Sequence, residues 1–234
     1  MSQFIEFLQG EWAGLGPIIE GPRPTAAHEG LREFIPAEMF EVWDAFGFAG
    51  IDNGRFWLCD PLEWQEAADA WTETLDLVMD EDRWFPLFRS AFGDLELWGP
   101  RTGMSLSLVP IRGEVYPNDM SDLVAEPGGA VSALEGALMS YDEDSFALYD
   151  DQTEEPLFEA CLAKLGPTSI DTMYTFAPVP ALGGEATVGT AIIEKAVPHL
   201  LLLAGLEASD VRGDVSATQR QREARMDEWI TGQD

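Results

Sequence analysis

Bases are what this sequence has least of. Its 234 residues include 13 lysines and arginines against 43 aspartates and glutamates, a formal net charge of -30. Only Lys164 and Lys195 are lysines. Sequence-independent binding to nucleic acid or to an anionic bilayer needs clustered bases that displace counterions, so the composition excludes both as direct partners. A cationic partner is the natural complement. Histidine is equally scarce, with His28 and His199 alone available as general bases or imidazole ligands. No nucleophile elbow, phosphate-binding loop, dinucleotide fingerprint or His-Glu-x-x-His zinc motif occurs, so no catalytic residue, cofactor or metal is expected. The two cysteines, Cys59 and Cys161, lie far apart in apolar surroundings; they form no disulfide framework and read as small buried hydrophobes. Long apolar runs are also missing. Val197–Leu206 is interrupted by Pro198 and His199 and is too short to cross a bilayer. The first eight residues lack the basic and apolar regions of a secretory signal. A soluble, cytoplasmic, non-enzymatic protein is expected.

What is present is a core and a surplus of carboxylates. Hydrophobic residues make up 46% and aromatics 11%, with eight tryptophans, a globular rather than a disordered composition. Trp43, Trp57, Trp64, Trp71 and Trp98 fall at core-facing positions of helices or strands, which favours packing over a ligand cage. The acids are unevenly spread: fourteen acids and one base lie between Glu114 and Asp171, leaving twenty-nine and twelve elsewhere. Solubility of a small domain requires a net charge of only about 2–8, far below this imbalance. The densest stretch is Asp142, Glu143, Asp144, then Asp150, Asp151, Glu154 and Glu155. It lacks the alternating ligands and central glycine of a calcium loop. It reads either as a solvated loop or as a partner-binding surface.

The local patterns predict an α+β fold. Pro36 opens a helix whose Met39, Phe40, Trp43 and Phe46 share one face before Gly47 stops it. Asn53-Gly54 turns into a strand at Phe56–Leu58, and Pro61 begins a helix with Trp64, Ala67, Ala68, Trp71 and Leu75 in a stripe. Trp84–Phe92 and Asp94–Trp98 predict a strand pair about Gly93. Met104–Pro110 alternates strictly, so its apolar positions are expected to face the core. Pro, Asn, Asp and Gly accumulate over 113–127, the expected boundary segment. Helices are then predicted over 130–139, 156–165 and 194–206, the last with an interior Pro198, with an extended segment over 174–180. A charged helix is expected within 216–230.

Two sets of motifs resemble known families. Leu31-Arg32-Glu33-Phe34-Ile35-Pro36, Val42–Phe48, Asp52–Pro61 with its Phe-Trp-Leu, and Arg89-Ser90-Ala91-Phe92-Gly93-Asp94-Leu95 resemble the GAD-like domain. Met173-Tyr174-Thr175-Phe176-Ala177-Pro178, Ala181-Leu182-Gly183-Gly184 and His199–Ala204 are similar to the C-terminal domain of type VI secretion immunity proteins. The resemblance spans roughly residues 15–205, in the order of the two-domain immunity proteins paired with DNase effectors. It implies a GAD-like domain over 1–112 with a mainly antiparallel sheet, a boundary at 113–127, and a smaller, mostly helical immunity domain over 128–206. A charged helix or tail follows over 207–234. The implied function is binding and neutralising a basic nuclease effector, in a 1:1 complex, through Asp142, Glu143, Asp144, Asp150, Asp151, Glu154 and Glu155. The family motifs themselves read as fold-making rather than as contacts. A housekeeping adaptor or regulatory binding module on the same scaffold is the alternative.

Overall fold

In the computed structural model, residues 2–73, 75, 77, 82–141, 146–206 and 210–212 are described. Helix α1 (Gln3–Leu15) is followed by a 3-10 segment (Ala26–Glu33), α2 (Ala37–Phe46), β1 (Gly50–Ile51), β2 (Phe56–Leu58) and α3 (Pro61–Thr72). Strands β3 (Phe85–Ser90), β4 (Leu95–Gly99), β5 (Gly103–Val109) and β6 (Glu114–Pro117) come next, then α4 (Ser121–Val124), α5 (Gly129–Ser140) and α6 (Leu157–Leu165). The described chain ends with β7 (Thr172–Phe176), a short 3-10 turn, β8 (Ala191–Lys195), α7 (Ala196–Ala204) and β9 (Asp210–Val211).

The local signals account for most of these elements. Pro36 occupies the N-cap of α2 and Gly47, at φ +72°, ends it, a conformation that costs a residue with a Cβ and suits glycine. Asp60 caps α3 by accepting from the Leu62 amide at 2.8 Å, and Pro61 follows as its first residue, where a missing N–H costs nothing. The turn before β2 holds Asp52, Asn53 and Gly54 all at positive φ. One predicted element begins later than expected. Glu194 and Lys195 belong to β8, and α7 starts at Ala196, so Pro198 lies in the first helical turn, where its ring breaks no hydrogen bond. The expected helix within 216–230 lies outside the described residues.

The main sheet has the order β1-β2-β3-β4-β5-β6-β9, antiparallel throughout except where β9 joins β6 in parallel; β7 and β8 form a separate antiparallel pair. The fold class is α+β. Segment 113–127 contributes β6 and α4, so it continues the sheet before passing to the helices.

Two apolar clusters flank the sheet, and each draws on both halves of the chain. In the first, Leu95, Leu97, Leu106, Leu108 and Val115 pack with Trp64 and Trp71 of α3, Phe158 of α6, Tyr174 and Phe176 of β7 and Leu200 of α7. In the second, Phe56, Leu58, Phe88 and Trp98 pack with Trp12 of α1, Phe40 and Trp43 of α2, and Leu134 and Leu138 of α5. Met104 joins the second cluster although Leu106 and Leu108 enter the first, because the β4–β5 register shifts between Leu97 and Trp98 and the strict alternation breaks there. Fully burying each of these large side chains contributes about 1.5–3 kcal/mol.

All five tryptophans singled out above are buried. Three of their indole N–H groups bind across the chain: Trp57 to Thr168 Oγ1 (3.1 Å), Trp71 to the Leu200 carbonyl (3.1 Å) and Trp98 to the Phe34 carbonyl (2.9 Å); a further tryptophan, the partly buried Trp84, reaches Ser105 Oγ (3.1 Å). Trp43 Nε1 is the one buried side-chain polar atom left without a partner among the described residues. No helix among those residues is long and apolar enough to cross a membrane.

Candidate partner-binding surface

The acidic stretch divides into parts with different fates. Asp142, Glu143 and Asp144 lie outside the described residues. Asp150 begins a tight loop whose backbone is closed by Asp150 N–H to the Glu155 carbonyl (2.8 Å) and Glu154 N–H to the Asp150 carbonyl (2.9 Å). The Asp150 carboxylate accepts from the amides of Gln152 (2.9 Å), Thr153 (3.1 Å) and Val188 (3.0 Å). These amides, led by Val188, hold its pKa below the usual carboxylate range. Asp151 accepts from the Ala186 amide at 2.6 Å and pairs with Arg112 at 3.2 Å. Both aspartates therefore pin the loop to segment 185–188. Glu154, held at φ +60°, and Glu155 project from the loop with exposed residues on both sides. The structure thus brings Asp150, Asp151, Glu154 and Glu155 into one loop and gives them two roles, anchoring and display.

A second acidic feature was not singled out in the sequence. Asp94, just before β4, and Glu96 within it sit two residues apart, partly buried, on the face opposite Leu95 and Leu97. Burial pushes Asp94 up to about 6, against the hydrogen bond from Ser90 and the charge of Arg112. Burial pushes Glu96 up to about 7, with Asp94 adding to the shift and Ser107 opposing it. Among so many acids nothing in composition marks these two. The strand alternation does not mark them either; the register that sets Glu96 opposite Ser107 comes from the fold.

The four residues with catalytic potential are all engaged in structure. His28 is buried: its Nδ1 accepts from the Thr25 amide at 3.0 Å and its Nε2 lies 3.0 Å from Asp60 Oδ1. An Nδ1 that accepts leaves the proton on Nε2, which donates to Asp60, so His28 ties the 3-10 segment to the cap of α3. His199 Nε2 meets Thr175 Oγ1 at 2.8 Å, and burial lowers its pKa. Cys59 and Cys161 are free and buried, their thiols pushed up by burial to about 12 and about 11. Thiols so raised are inert nucleophiles at neutral pH. Among the described residues no cluster of His, Cys, Asp and Glu has the arrangement to hold a metal ion.

The bases are equally committed. Arg32 pairs with Glu29, Arg55 with Asp52 and Glu159, Arg101 with Asp82, Lys195 with Asp171, and Arg212 with Glu114. Lys164 donates to the carbonyls of Val188 (2.6 Å), Gly189 (3.0 Å) and Ala191 (3.1 Å). Arg23 donates to the Asp44 carbonyl, and Arg83 lies 5.0 Å from the centre of the Phe85 ring. With so many acids, each base among the described residues has an internal partner, and exposed carboxylates remain in excess.

Arg89 explains the Arg-Ser-Ala-Phe-Gly-Asp motif. Its guanidinium is buried between the rings of Trp57 (5.0 Å) and Trp64 (4.8 Å) and donates to the carbonyls of Ser90 (3.1 Å), Ser169 (2.7 Å) and Ile170 (3.3 Å). Burial lowers its pKa to about 10, which leaves it charged at neutral pH. The Ala91 carbonyl accepts from the Tyr174 amide at 2.8 Å, and Phe92 stacks on Phe176 with centroids 6.1 Å apart. At Gly93, φ +85°, a Cβ would come within 2.5 Å of the Met173 side chain. The motif is thus the seam along which the Met-Tyr-x-Phe segment docks on the sheet.

Comparison with known proteins agrees with this two-part construction. Residues 11–111 match the GAD-like domain, and residues 136–207 match the family described as T6SS immunity protein Tdi1, C-terminal. No curated protein matches the chain. The crystal structure of Atu4351 from Agrobacterium tumefaciens is similar in fold, with a TM-score of 0.74 at 19% identity over 85% of this chain and 89% of that one. The chain therefore carries, in sequence, a segment that matches the GAD-like domain and a segment that matches the C-terminal domain of the Tdi1 immunity family.

Proposed function

We propose that this protein is an immunity protein of a type VI secretion system that binds and neutralises a DNA-cutting effector through an acidic surface. The observation that carries the reading is the match of residues 136–207 to the Tdi1 immunity domain. Charge supports the choice of a nuclease. An enzyme that grips DNA presents bases to phosphates, and a protein at -30 whose described bases all have internal partners offers the complementary sign. The exposed carboxylates of Glu154 and Glu155, on the loop pinned by Asp150 and Asp151, would stand where phosphates otherwise lie, together with Asp142, Glu143 and Asp144. Electrostatic steering can bring association to about 10⁸–10⁹ M⁻¹s⁻¹ at low salt, fast enough to capture a toxin before it cuts. Affinity would come from aromatic and arginine contacts at the centre of the interface, since rim charges act mainly on the on-rate. A 1:1 cytoplasmic complex without catalysis by this chain completes the proposal.

The test is co-expression with the protein encoded beside it. The expected outcome is intact chromosomal DNA, cell survival and co-purification of the two chains. Degraded DNA in cells that make both proteins, with no complex recovered, would refute the reading.

A further inference from the structure

A cleft of about 590 Å³ lies between strands β4–β6 and the α4–α5 pair, bounded by Glu96, Ser107, Asn118, Met104, Met120 and Tyr141. Sheet register brings a carboxylate into it. Phe88, Glu96, Ser107 and Tyr116 stand opposite one another across β3, β4, β5 and β6, so they share the face that Leu95 and Leu97 leave. Ser107 Oγ donates to Glu96 Oε2 at 2.7 Å, which leaves Oε1 as a further acceptor. Among the described residues no base pairs with Glu96. Tyr141 forms another wall, its ring fixed against Phe88 (5.0 Å), Phe146 (5.1 Å) and Phe56 (5.6 Å).

We propose that this cleft receives one arginine or lysine side chain of a bound protein partner, with its cationic head at Glu96 and its aliphatic stem along Met104 and Met120. The inference rests on the immunity reading above and specifies one contact within it. Charge complementarity selects the occupant: a carboxylate that pairs with none of the described bases, all of which have other partners, is completed by a guanidinium or ammonium. The methionines suit the methylene stem, and Asn118 and Tyr141 add polar groups around the head. A free amine would have to offset its whole loss of translational freedom with this one pair, whereas a side chain presented by a protein shares that cost with the rest of the interface. Arginine is, besides, among the residues most often found to anchor interfaces.

The cleft also predicts a pH dependence. A cation binds the ionised form of Glu96, whose pKa in the free protein is about 7. Asp94 just before β4, Tyr141 at the end of α5 and, two strands away on the same face, Tyr116 of β6 are the titratable groups on its side of the sheet, while β5 and the segments around β6 and α4 also offer the neutral Ser107, Asn118, Met120 and Leu123. Occupancy should rise with pH, with affinity about tenfold higher at pH 8 than at pH 6.

The experiment has two arms, both on the full chain. In the first, N-acetyl-arginine amide and its neutral citrulline counterpart are titrated while the Glu96 carboxyl and the Ser107 and Asn118 amides are followed by NMR. The arginine compound should lower the Glu96 midpoint and shift both amides, and the citrulline compound should do neither. Equal responses to the two, or an unchanged response in Glu96→Gln, would overturn the cleft as a cation site. In the second arm, binding of the neighbouring-encoded partner is compared for the wild type, Glu96→Gln and Gly136→Leu. Gly136 lines the cleft, and a Cβ there meets nothing within 4 Å, so a leucine begins there without a clash and adds bulk at the cleft wall. Both variants should weaken the complex at least tenfold, mainly by faster dissociation. If the wild type does not bind that partner, the immunity reading fails whatever the arginine titration shows. If the wild type binds and both variants bind equally well, this inference fails alone.

Discussion

The Asp150–Glu155 loop and the Asp94–Glu96 pair are both acidic, and the protein treats them in opposite ways. Asp150 is surrounded by amide donors that favour its charge, so its pKa falls. Asp94 and Glu96 lose water and gain a hydroxyl donor each, so theirs rise to about 6 and about 7. Arg112 bridges the two regions: it pairs with Asp151 and its charge moderates Asp94. Counting acids therefore says little about where negative charge is available. Backbone donors keep charge permanently on the loop, whereas desolvation makes charge on β4 conditional on pH or on an arriving cation.

The loop and the β4 pair are held in one folded unit by the seam at Arg89, and the largest effect is expected there. Arg89→Met removes three carbonyl partners' donor and should cost about 3–4 kcal/mol, read from urea unfolding, because buried carbonyls lose their partner. An unchanged midpoint would show that the Met-Tyr-x-Phe segment docks without it.

Next in size is the pH dependence of stability. Glu96 has a folded pKa of about 7, above its unfolded value of about 4.3. The native state thus binds more protons than the unfolded state between those values, and stability falls as pH rises through this window. Glu96→Gln should flatten the slope and leave the protein about 3.5 kcal/mol more stable at pH 8, with little change at pH 4. A variant less stable than wild type at pH 8 would contradict the assigned shift.

Asp150→Ala should act with the opposite sign. Because the folded state depresses the Asp150 pKa, its stabilisation is present above the unfolded value of about 3.9 and is lost as pH falls through the folded value. The substitution should lower Tm at pH 7, with the gap to wild type closing at acidic pH in calorimetry. A constant gap at all pH values would mean that the carboxylate's charge contributes nothing.

The smallest effect on folding belongs to Glu154→Gln with Glu155→Gln. Both are exposed, so unfolding should not change measurably. Association with the partner should slow several-fold at low salt, and the difference should fade at high ionic strength. Unchanged stopped-flow kinetics at low salt would reduce this loop to a solvated turn.

Much of the fold was legible because its signals are local. Pro36 and Gly47 bound α2, Asp60 and Pro61 start α3, and Asn53-Gly54 turns into β2, each through a backbone preference of the residue itself. Pro198 was harder to place, since whether a proline lies inside a helix or in its first turn depends on where the preceding strand ends. The displayed acids of the loop were readable as a dense run. The buried pair was not, since Leu95-Glu96-Leu97 gives the alternation of any half-exposed strand, and only α4 and α5 folding over that face deprive Glu96 of water.

By itself the sequence determined the sign of the charge, the α+β class and the tryptophan-rich core, all of which depend on composition or on residues near one another in the chain. The tertiary structure alone decided that Asp150 and Asp151 anchor while Glu154 and Glu155 project, and that Arg89 closes the seam. It also placed Glu96 in a cleft where no base among the described residues pairs with it. Each of these depends on segments distant in sequence meeting in space, and a pKa or a hydrogen bond is a property of that meeting rather than of the residue.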